Sequence, residues 1–360
     1  MYREFPARVM APATTPPDPA LADGDAKRLL TDVGMRCGGC GAKVGSSVLT
    51  RVLGRLGIPD APEDAALVDV PAGKALVQSV DFFRSFIDDP FTFGEIAAVH
   101  ALGDVWAMGA KPHSALALAI VQAAAERLME EDLFQLLSGA RRVLDHAGCA
   151  LIGGHSGEGP ETALGFSVNG VVEPARALRK GGLKSGDKLV LTKPLGTGVV
   201  FAAAMRGQAR GAWVDGALRS MRQPSMRAAE QALAAGAHAC TDVTGFGLAG
   251  HLIEMVRASG DVAVDLDLNA LPELEGASEL FARGFTSSLQ PANQRARHLI
   301  EGPPSLAAHH KLPLLYDPQT AGGLLIAVPA DTAPRIDGTV IGEVRERPRS
   351  DPHTLVYLRA

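Results

Sequence analysis

Helix and strand patterns alternate along this chain, and that alternation is the feature that most constrains its fold. A helix pattern over about 94–108 is followed by an apolar strand over 114–122 and an amphipathic helix over 125–147. Further strands are predicted over 149–153 and 163–172. Helices and strands in this order are typical of mixed α and β domains. The pattern therefore predicts an α+β or α/β fold.

Turn signals divide the chain into segments. Apolar runs over 65–70 and 75–80 predict two strands around a Pro-Ala-Gly turn, and a strand over 188–191 opens the second half. A break rich in Pro and Gly over 173–187 predicts a domain boundary, in keeping with a length of 360 residues. We expect three parts: a disordered head and mobile Gly-rich arm (1–45), an N-terminal α/β domain (46–175) and a C-terminal α/β domain (176–360).

Composition excludes several classes of protein. Hydrophobic residues make up 46% of the chain, so a buried core is possible. The net charge of −5 and scattered Arg residues argue against a nucleic-acid partner, which needs a basic stripe. The sequence contains neither an apolar block of membrane-spanning length nor a secretory leader pattern. With only four Cys, we expect a cytoplasmic protein of a reducing compartment, with no membrane partner.

Cys37-x-x-Cys40 lies in a segment with four Gly in ten residues, 34–43. Three interpretations stay open: part of a zinc or redox site, incidental cysteines in a loop, or a nucleophile on a flexible arm. Zinc would need two more ligands, and the remaining cysteines do not form a second such pair. Lys43 favours the third interpretation, because a nearby ammonium favours the thiolate.

Four aspartates have mostly small or apolar neighbours: Asp64, Asp81, Asp104 and Asp242. Each alone is most simply a cap or turn residue. If they converged, their mutual repulsion would require a cation, and hard oxygen ligands suit Mg²⁺ shared with substrate phosphates. Such convergence would indicate a magnesium and phosphate site.

Glycines follow the predicted strand at 149–153, in the loop Gly153-Gly154-His155-Ser156-Gly157. Small residues there would let backbone N–H groups approach a phosphate. The loop matches neither the Walker motif nor the dinucleotide fingerprint, and His155 could equally be structural. The Asp317–Gly323 segment predicts a turn before a strand over 324–328, and its pattern alone assigns it no chemistry.

Taken together, these blocks resemble the selenophosphate synthetase (selenide, water dikinase) family of the aminoimidazole-ribotide-synthetase-like superfamily. The resemblance covers about residue 27 to the end. The matching blocks are Cys40-Gly41-Ala42-Lys43, Glu63-Asp64-Ala65-Ala66, Val80-Asp81-Phe82-Phe83 with Asp88-Asp89-Pro90-Phe91, Asp104-Val105-Trp106-Ala107-Met108-Gly109 with Lys111-Pro112, Gly153-Gly154-His155-Ser156, Thr241-Asp242-Val243-Thr244-Gly245-Phe246-Gly247 and Asp317–Gly323.

The resemblance implies that ATP, selenide and water give selenophosphate, phosphate and AMP, which supplies activated selenium for selenocysteine and selenouridine synthesis. It implies ATP as substrate, several Mg²⁺ ions and K⁺ or another monovalent cation. Selenide, or a protein that delivers selenium, would be the second partner. It also implies a homodimer of two-domain subunits whose Gly-rich arm closes over the nucleotide.

Site residues follow from the matching positions. Cys40 and Lys43 match the catalytic positions, and Lys43 is expected to touch the ATP phosphates. The metal positions are Asp64, Asp104 and Asp242. The remaining ATP-contact positions are Ala61, Pro62 and Glu63 through their backbone, together with Asp81, Asp104, Gly154, His155 and Ser156.

Ala42 departs from the commoner family motif, which has a second Cys at that position. A second Cys is therefore not required for the chemistry, and Cys37 has no assured role. Two other functions stay open. One is another kinase or ligase of the superfamily, acting on thiamine phosphate or a purine intermediate. The other is a non-catalytic zinc or redox module at Cys37 and Cys40.

Overall fold

The computed structural model describes residue 44, residues 46–58 and residues 68–360. The helices within these ranges are α1 (Ser46–Leu56), α2 (Pro90–Ala107), α3 (Glu126–His146), α4 (Thr197–Ala204), α5 (Gly211–Met221), α6 (Met226–Ala234), α7 (Gly247–Ser259), α8 (Ala277–Ala282) and α9 (Gln290–Asn293). The strands are β1 (Ala75–Arg84), β2 (Lys111–Gln122), β3 (Ala150–Gly159), β4 (Ala163–Val172), β5 (Lys188–Leu191), β6 (Ala239–Asp242), β7 (Val262–Asp267), β8 (Ile300–Glu301), β9 (Leu324–Val328), β10 (Thr339–Glu346) and β11 (Val356–Arg359). The mixed α and β fold class is confirmed.

Residues group into two compact units. The first takes Val80–Ala98 and Ser114–Ser167 together with the described residues up to Val68. The second takes Asp69–Ser79, Val99–His113 and Val168–Ala360. The domain boundaries expected from the sequence stay predictions, and nearly all of the expected head and arm lies outside the described residues.

A four-stranded sheet has the order β1-β4-β2-β3. Strand β3 runs parallel to β2, with Gly154 opposite Ala117 and Ser156 opposite Ala119. The predicted loop over 153–157 is therefore wrong, because the strand continues to Gly159. A Cβ on Gly154 would lie 2.2 Å from the carbonyl oxygen of Ala117, so glycine is needed for this close strand pairing.

Helix α2 begins earlier than the predicted position 94. Pro90 occupies the first turn, where its missing N–H costs nothing. The carboxylate of Asp89 accepts hydrogen bonds from the backbone N–H groups of Phe91 and Thr92, at 3.2 and 3.3 Å. This side chain caps the helix start. After the helix ends, Gly109 adopts a left-handed φ of 64°, which favours glycine.

Within the first unit, α2 and α3 pack through two glycines. A Cβ on Gly94 would lie 2.0 Å from the carbonyl oxygen of Leu136, and one on Gly139 would lie 1.9 Å from that of Phe91. The helix backbones are therefore close enough that neither position has room for a side chain.

The second unit contains a seven-stranded sheet of order β6-β9-β5-β10-β7-β11-β8. Strands β5 and β6 both pair antiparallel with β9, with Leu191 opposite Leu325 and Asp242 opposite Leu324. The carboxyl ends of β5 and β6 therefore lie at the same edge of the sheet, beside the start of β9. All five residues of β9 are buried, so this edge is anchored in the core.

Two further expectations concern the beginning of the chain and membranes. The strand predicted over 65–70 is not observed where the structure describes it, because residues 68–70 form no strand; residues 59–67 lie outside the described ranges. The strand predicted at 75–80 extends to Arg84. Throughout the described ranges, no helix is both long enough and apolar enough to cross a membrane.

Candidate active site

The predicted site residues fall into three groups. Six lie outside the described residues: Cys40, Lys43, Ala61, Pro62, Glu63 and Asp64. Four belong to the first unit: Asp81, Gly154, His155 and Ser156. Asp104 and Asp242 belong to the second unit.

Asp104 and Asp242 lie close together in the second unit. Asp242 is the last residue of β6. Its carboxylate faces helix α2 at Gly103, the residue before Asp104. A Cβ placed on Gly103 would stand only 3.0 Å from Oδ2 of Asp242. Glycine at 103 therefore allows the Asp242 carboxylate to approach helix α2 next to Asp104.

Two described neighbours surround Asp104. The hydroxyl of Ser79 donates a hydrogen bond to Oδ2 of Asp104. His100 lies four positions earlier on α2 and therefore on the same helix face. Burial lowers the pKa of His100 to about 4, although Asp104 opposes the shift. The imidazole is therefore neutral near pH 7, and its Nδ1 accepts a hydrogen bond from the backbone N–H of Ala321 at 3.0 Å.

Lys193 lies two residues beyond the end of β5, at the sheet edge where β6 ends in Asp242. Its side chain is buried, and Nζ donates a hydrogen bond to the carbonyl oxygen of Ala321 at 2.8 Å. Burial lowers the pKa of Lys193 to about 7, and the negative charge of Asp242 opposes that shift. Sequence analysis did not identify this residue.

The Asp317–Gly323 turn packs against this sheet edge through its backbone. A Cβ on Gly322 would lie 1.9 Å from the carbonyl oxygen of Val243, and one on Gly323 would lie 2.5 Å from the backbone nitrogen of Lys193. The N–H of Val243 donates to the carbonyl oxygen of Gly323 at 2.8 Å. The two glycines are therefore needed for the turn to contact the residues beside Asp242 and Lys193.

The same turn caps helix α4. The amide oxygen of Gln319 accepts hydrogen bonds from the backbone N–H groups of Gly196 and Thr197, at 3.1 and 3.2 Å. Oδ2 of Asp317 accepts one from the N–H of Gly198 at 3.1 Å. These acceptors satisfy N–H groups that a helix start leaves unpaired. The structure thus gives this segment a supporting role that its sequence pattern alone did not assign.

His251 supports the loop after Asp242. Its Nε2 accepts a hydrogen bond from the backbone N–H of Thr244 at 3.1 Å. Burial lowers the pKa of His251 to about 4, so the acceptor nitrogen stays available near neutral pH. The ring of Phe246 lies 5.6 Å from that of His251 and is more than half exposed. The loop is thus fixed from within and presents an aromatic ring to solvent.

The first-unit residues lie on two strands of the four-stranded sheet. Asp81 is on β1 and Gly154-His155-Ser156 are on β3, at opposite edges of the sheet order. Strand pairing therefore does not bring these two sets together. The backbone N–H of Val44, one residue after Lys43, donates to the carbonyl oxygen of Ser156 at 3.3 Å.

Asp104 and Asp242 fit a divalent cation of the magnesium type. Both supply hard carboxylate oxygens, and they approach the same part of helix α2. In the ranges that the structure describes, no group of three or more His, Cys, Asp or Glu side chains is arranged to hold a metal. Asp64, the third predicted ligand, lies outside those ranges.

Sequence reasoning missed Ser79, His100 and Lys193. His100 carried a usable signal, because it precedes Asp104 by four positions in a helix pattern. Lys193 also carried one, since it directly follows the apolar run of β5. Ser79 had no comparable signal.

Comparison with known proteins gives two family matches. The model for the AIR synthase related protein, N-terminal domain, matches residues 62–172. The model for the C-terminal domain of the same family matches residues 184–353. Together they span both halves of the chain and confirm the two-domain fold.

Solved structures of similar fold have low sequence identity. A thiamine-monophosphate kinase from Stenotrophomonas maltophilia is 20% identical with a TM-score of 0.63, covering 88% of this chain and 97% of that one. A hydrogenase maturation protein HypE from E. coli is 17% identical with a TM-score of 0.64, covering 87% and 93%. These similarities establish the fold alone.

Curated relatives are much closer in sequence. The selenide, water dikinase of Desulfitobacterium hafniense (strain DSM 10664 / DCB-2) is 41% identical, over 82% of this chain and 88% of its own length. Those of Geobacter metallireducens and Myxococcus xanthus are 38% and 39% identical, over 87% and 89% of this chain and 92% and 96% of their own lengths. The chain therefore belongs to the selenide, water dikinase family.

Proposed function

We propose that this enzyme converts ATP, selenide and water into selenophosphate, phosphate and AMP. Its similarity to named selenide, water dikinases over most of both lengths supports this reaction. The γ-phosphoryl group passes to selenium with ADP as leaving group, and a second step hydrolyses ADP to AMP and phosphate. The product would supply activated selenium for selenocysteine and selenouridine synthesis.

The observation that carries the proposal is the approach of the Asp242 carboxylate to helix α2 at Gly103, the residue before Asp104. A nucleoside triphosphate is highly anionic, and the chain itself has a net charge of −5. Mg²⁺ held by Asp64, Asp104 and Asp242 would reverse the local charge and neutralise the phosphates. Phosphoryl transfer depends mainly on this neutralisation and on alignment. The hydrogen bond from Ser79 would then orient the carboxylate of Asp104.

The proposed ATP contacts also include residues of β1, β3 and the arm. Asp81, Asp104 and the Gly154-His155-Ser156 stretch are the proposed ATP contacts, with the backbone of residues 61–63. Lys43 would donate a charge-assisted hydrogen bond to the phosphates. The bond from Val44 to Ser156 supports this role, because it holds the residue next to Lys43 against the same stretch of β3.

Cys40 would act as the second catalytic residue, guiding or carrying selenium near the γ-phosphate. A Gly-rich segment is suited to closing over the nucleotide and keeping water away until selenide has attacked. Selenide, or a protein that delivers selenium, is the proposed second partner.

A homodimer is supported by an apolar surface on β1. Val80 and Phe82 are 60% and 50% exposed, and Leu76 is exposed on the same face of this strand. Alternating apolar residues on an exposed strand face are typical of a surface that another chain covers. We also propose a monovalent cation such as K⁺, a cytoplasmic location and no nucleic-acid or membrane partner.

Phosphorus NMR tests the reaction directly. Protein, ATP, Mg²⁺ and selenide under reducing conditions should give a selenophosphate resonance with stoichiometric AMP. A sample without selenide, and the Asp242→Asn variant with selenide, serve as controls. If ATP is consumed without selenophosphate, or ADP accumulates instead of AMP, the proposed reaction is wrong.

The other functions considered have less support. Thiamine-monophosphate kinases resemble this chain in fold, but at 20% identity that likeness does not extend to substrate. A zinc or redox module at Cys37 and Cys40 would give no ATP-dependent phosphoryl transfer, so the NMR experiment separates it as well.

A further inference from the structure

Lys193 is the buried cation of the aspartate site. Its residue exposure is 4%, and burying an ammonium is costly unless an opposite charge compensates for it. The hydrogen bond to the carbonyl oxygen of Ala321 satisfies one donor but supplies no full negative charge. Asp242 supplies that charge, since it favours the protonated form of Lys193.

Asp104 belongs to the same electrostatic group. Both charges act on His100: burial lowers the pKa of His100 most, Lys193 lowers it further, and Asp104 raises it. Because burial keeps this imidazole neutral, it adds no charge of its own. The carboxylate of Asp242 in turn approaches α2 beside Asp104. The buried Lys193 and Asp242 and the half-buried Asp104 therefore lie in one region of the second unit.

The backbone holds the ammonium in this place. Lys193 follows β5 at the sheet edge where β6 ends in Asp242. Gly323 packs against the backbone nitrogen of Lys193. The carbonyl oxygen of Ala321 accepts the hydrogen bond from Nζ of Lys193, and the N–H of Ala321 donates to Nδ1 of His100. Every contact of this set joins residues of the second unit. The fold of the second unit therefore fixes the position of Lys193.

We propose that Lys193 is a positioning residue whose ammonium acts as the internal counter-charge of Asp104 and Asp242. It limits their repulsion before the metal binds, and a divalent cation must then bind against its positive charge. The inference rests on the proposed function, in which these aspartates bind the cation. It assigns to Lys193 an effect on metal affinity that a purely structural lysine would not have.

Lys193→Met tests the idea, because methionine keeps much of the apolar length and removes the charge. We expect the variant to bind Mn²⁺ about tenfold more tightly than wild type, measured without nucleotide by the loss of the free-ion EPR signal. Lys188→Met is the matched control: Lys188 is on β5 and pairs with Glu343 at 2.5 Å. Its loss should leave Mn²⁺ affinity unchanged.

Thermal unfolding gives a second measurement. Without the ammonium, the two carboxylates repel, so Mn²⁺ should raise the Tm of Lys193→Met more than that of wild type. A variant that folds only with Mn²⁺ would support the proposal in the same way. A variant that folds in neither condition would assign Lys193 to folding alone and overturn it.

Asp242→Asn distinguishes a failure of the proposed metal site from a failure of the counter-charge role of Lys193. If wild type binds Mn²⁺ and Asp242→Asn does not, the metal site of the proposed function stands. Unchanged or weaker binding by folded Lys193→Met would then overturn the counter-charge role alone. If wild type binds no Mn²⁺, or if Asp242→Asn binds it equally well, the counter-charge role is wrong, and the phosphorus NMR experiment decides the proposed reaction independently.

Discussion

The backbone N–H of Ala321 donates a hydrogen bond to Nδ1 of His100, 3.0 Å away and 221 positions earlier in the sequence. His100 lies one helical turn before Asp104, so the bond ties the Asp317–Gly323 turn to the helix face that carries a predicted metal ligand. Ala321 has a φ of 48°, a region that alanine rarely adopts. Its contacts with His100 and Lys193 hold it there.

Replacing Asp242 with Asn should lower selenide-dependent ATP turnover by about 100-fold or more, because the charge stabilisation that a metal supplies is worth several kcal/mol. Steady-state AMP formation at several Mg²⁺ concentrations measures the effect. Asp215→Asn is the control, since Asp215 is exposed on α5. Equal rates for Asp242→Asn and wild type would remove Asp242 from the site.

Cys40→Ala should abolish selenophosphate formation, whereas Cys37→Ala should have a mild effect. The two residues share one Gly-rich segment, so each is a matched control for the other. Phosphorus NMR with saturating selenide measures both. Full turnover by Cys40→Ala would refute a required thiol, and a severe loss in Cys37→Ala would revive a mechanism with paired cysteines.

Gly322→Ala should reduce the free energy of unfolding by roughly 1–3 kcal/mol, as overpacking does in close-packed regions. The added Cβ would lie 1.9 Å from the carbonyl oxygen of Val243, a backbone atom that cannot rotate away. Urea unfolding measures the change. Gly54→Ala on helix α1 is the control, because no atom lies within 4 Å of its Cβ position. That change should stabilise the protein by about 1 kcal/mol; similar losses in both variants would contradict the steric argument.

Asp317→Asn should change the pH dependence of stability. Burial raises the pKa of Asp317 to about 7 in the folded protein, from an ordinary value of 3.8. Between these values the folded chain binds more protons than the unfolded chain, so this group lowers the free energy of unfolding as pH rises. Asn does not titrate. The stability of the variant relative to wild type should therefore rise from about pH 4 to about pH 7 and level off above it.

Urea unfolding of wild type and Asp317→Asn across that pH range checks the expectation. The difference in stability between the two proteins isolates the contribution of Asp317. It removes the contribution of the buried histidines, whose lowered pKa values make stability rise with pH. A stability difference that is independent of pH would contradict the raised pKa.

Phe82→Glu should dissociate the proposed homodimer, because a carboxylate would have to be buried where an apolar ring now lies on the exposed face of β1. Light scattering after size-exclusion chromatography gives the mass of each species. Met205→Glu is the control, since Met205 is an exposed apolar side chain in another part of the second half. A wild-type protein that is monomeric throughout would disprove the dimer itself.

Elements with strong periodicity could be predicted from the sequence. The helix expected over 125–147 is Glu126–His146, and the strands expected over 163–172 and 188–191 have those bounds. The regular spacing of apolar residues in these segments predicts both the type of element and the face that is buried. The mixed α and β class followed from their order.

The stretch at Gly153–Gly157 was misjudged because glycines usually signal a turn. Here Gly154 provides the room for close pairing with Ala117, a contact from a strand that is distant in sequence. The contacts of Lys193 and His100 with Ala321 were not predictable either. They depend on the antiparallel register of β9 with β5 and β6, which no local pattern encodes.

The hydrogen bond from Val44 to Ser156 limits how far the proposed catalytic thiol of Cys40 can lie from strand β3. Cys40 precedes Val44 by four residues, and a fully extended chain covers at most about 3.6 Å per residue. Chain length alone therefore limits the distance between the Cα atoms of Cys40 and Val44 to about 14 Å. If Cys40 carries selenium as proposed, the proposed donor would have to release selenium near strand β3.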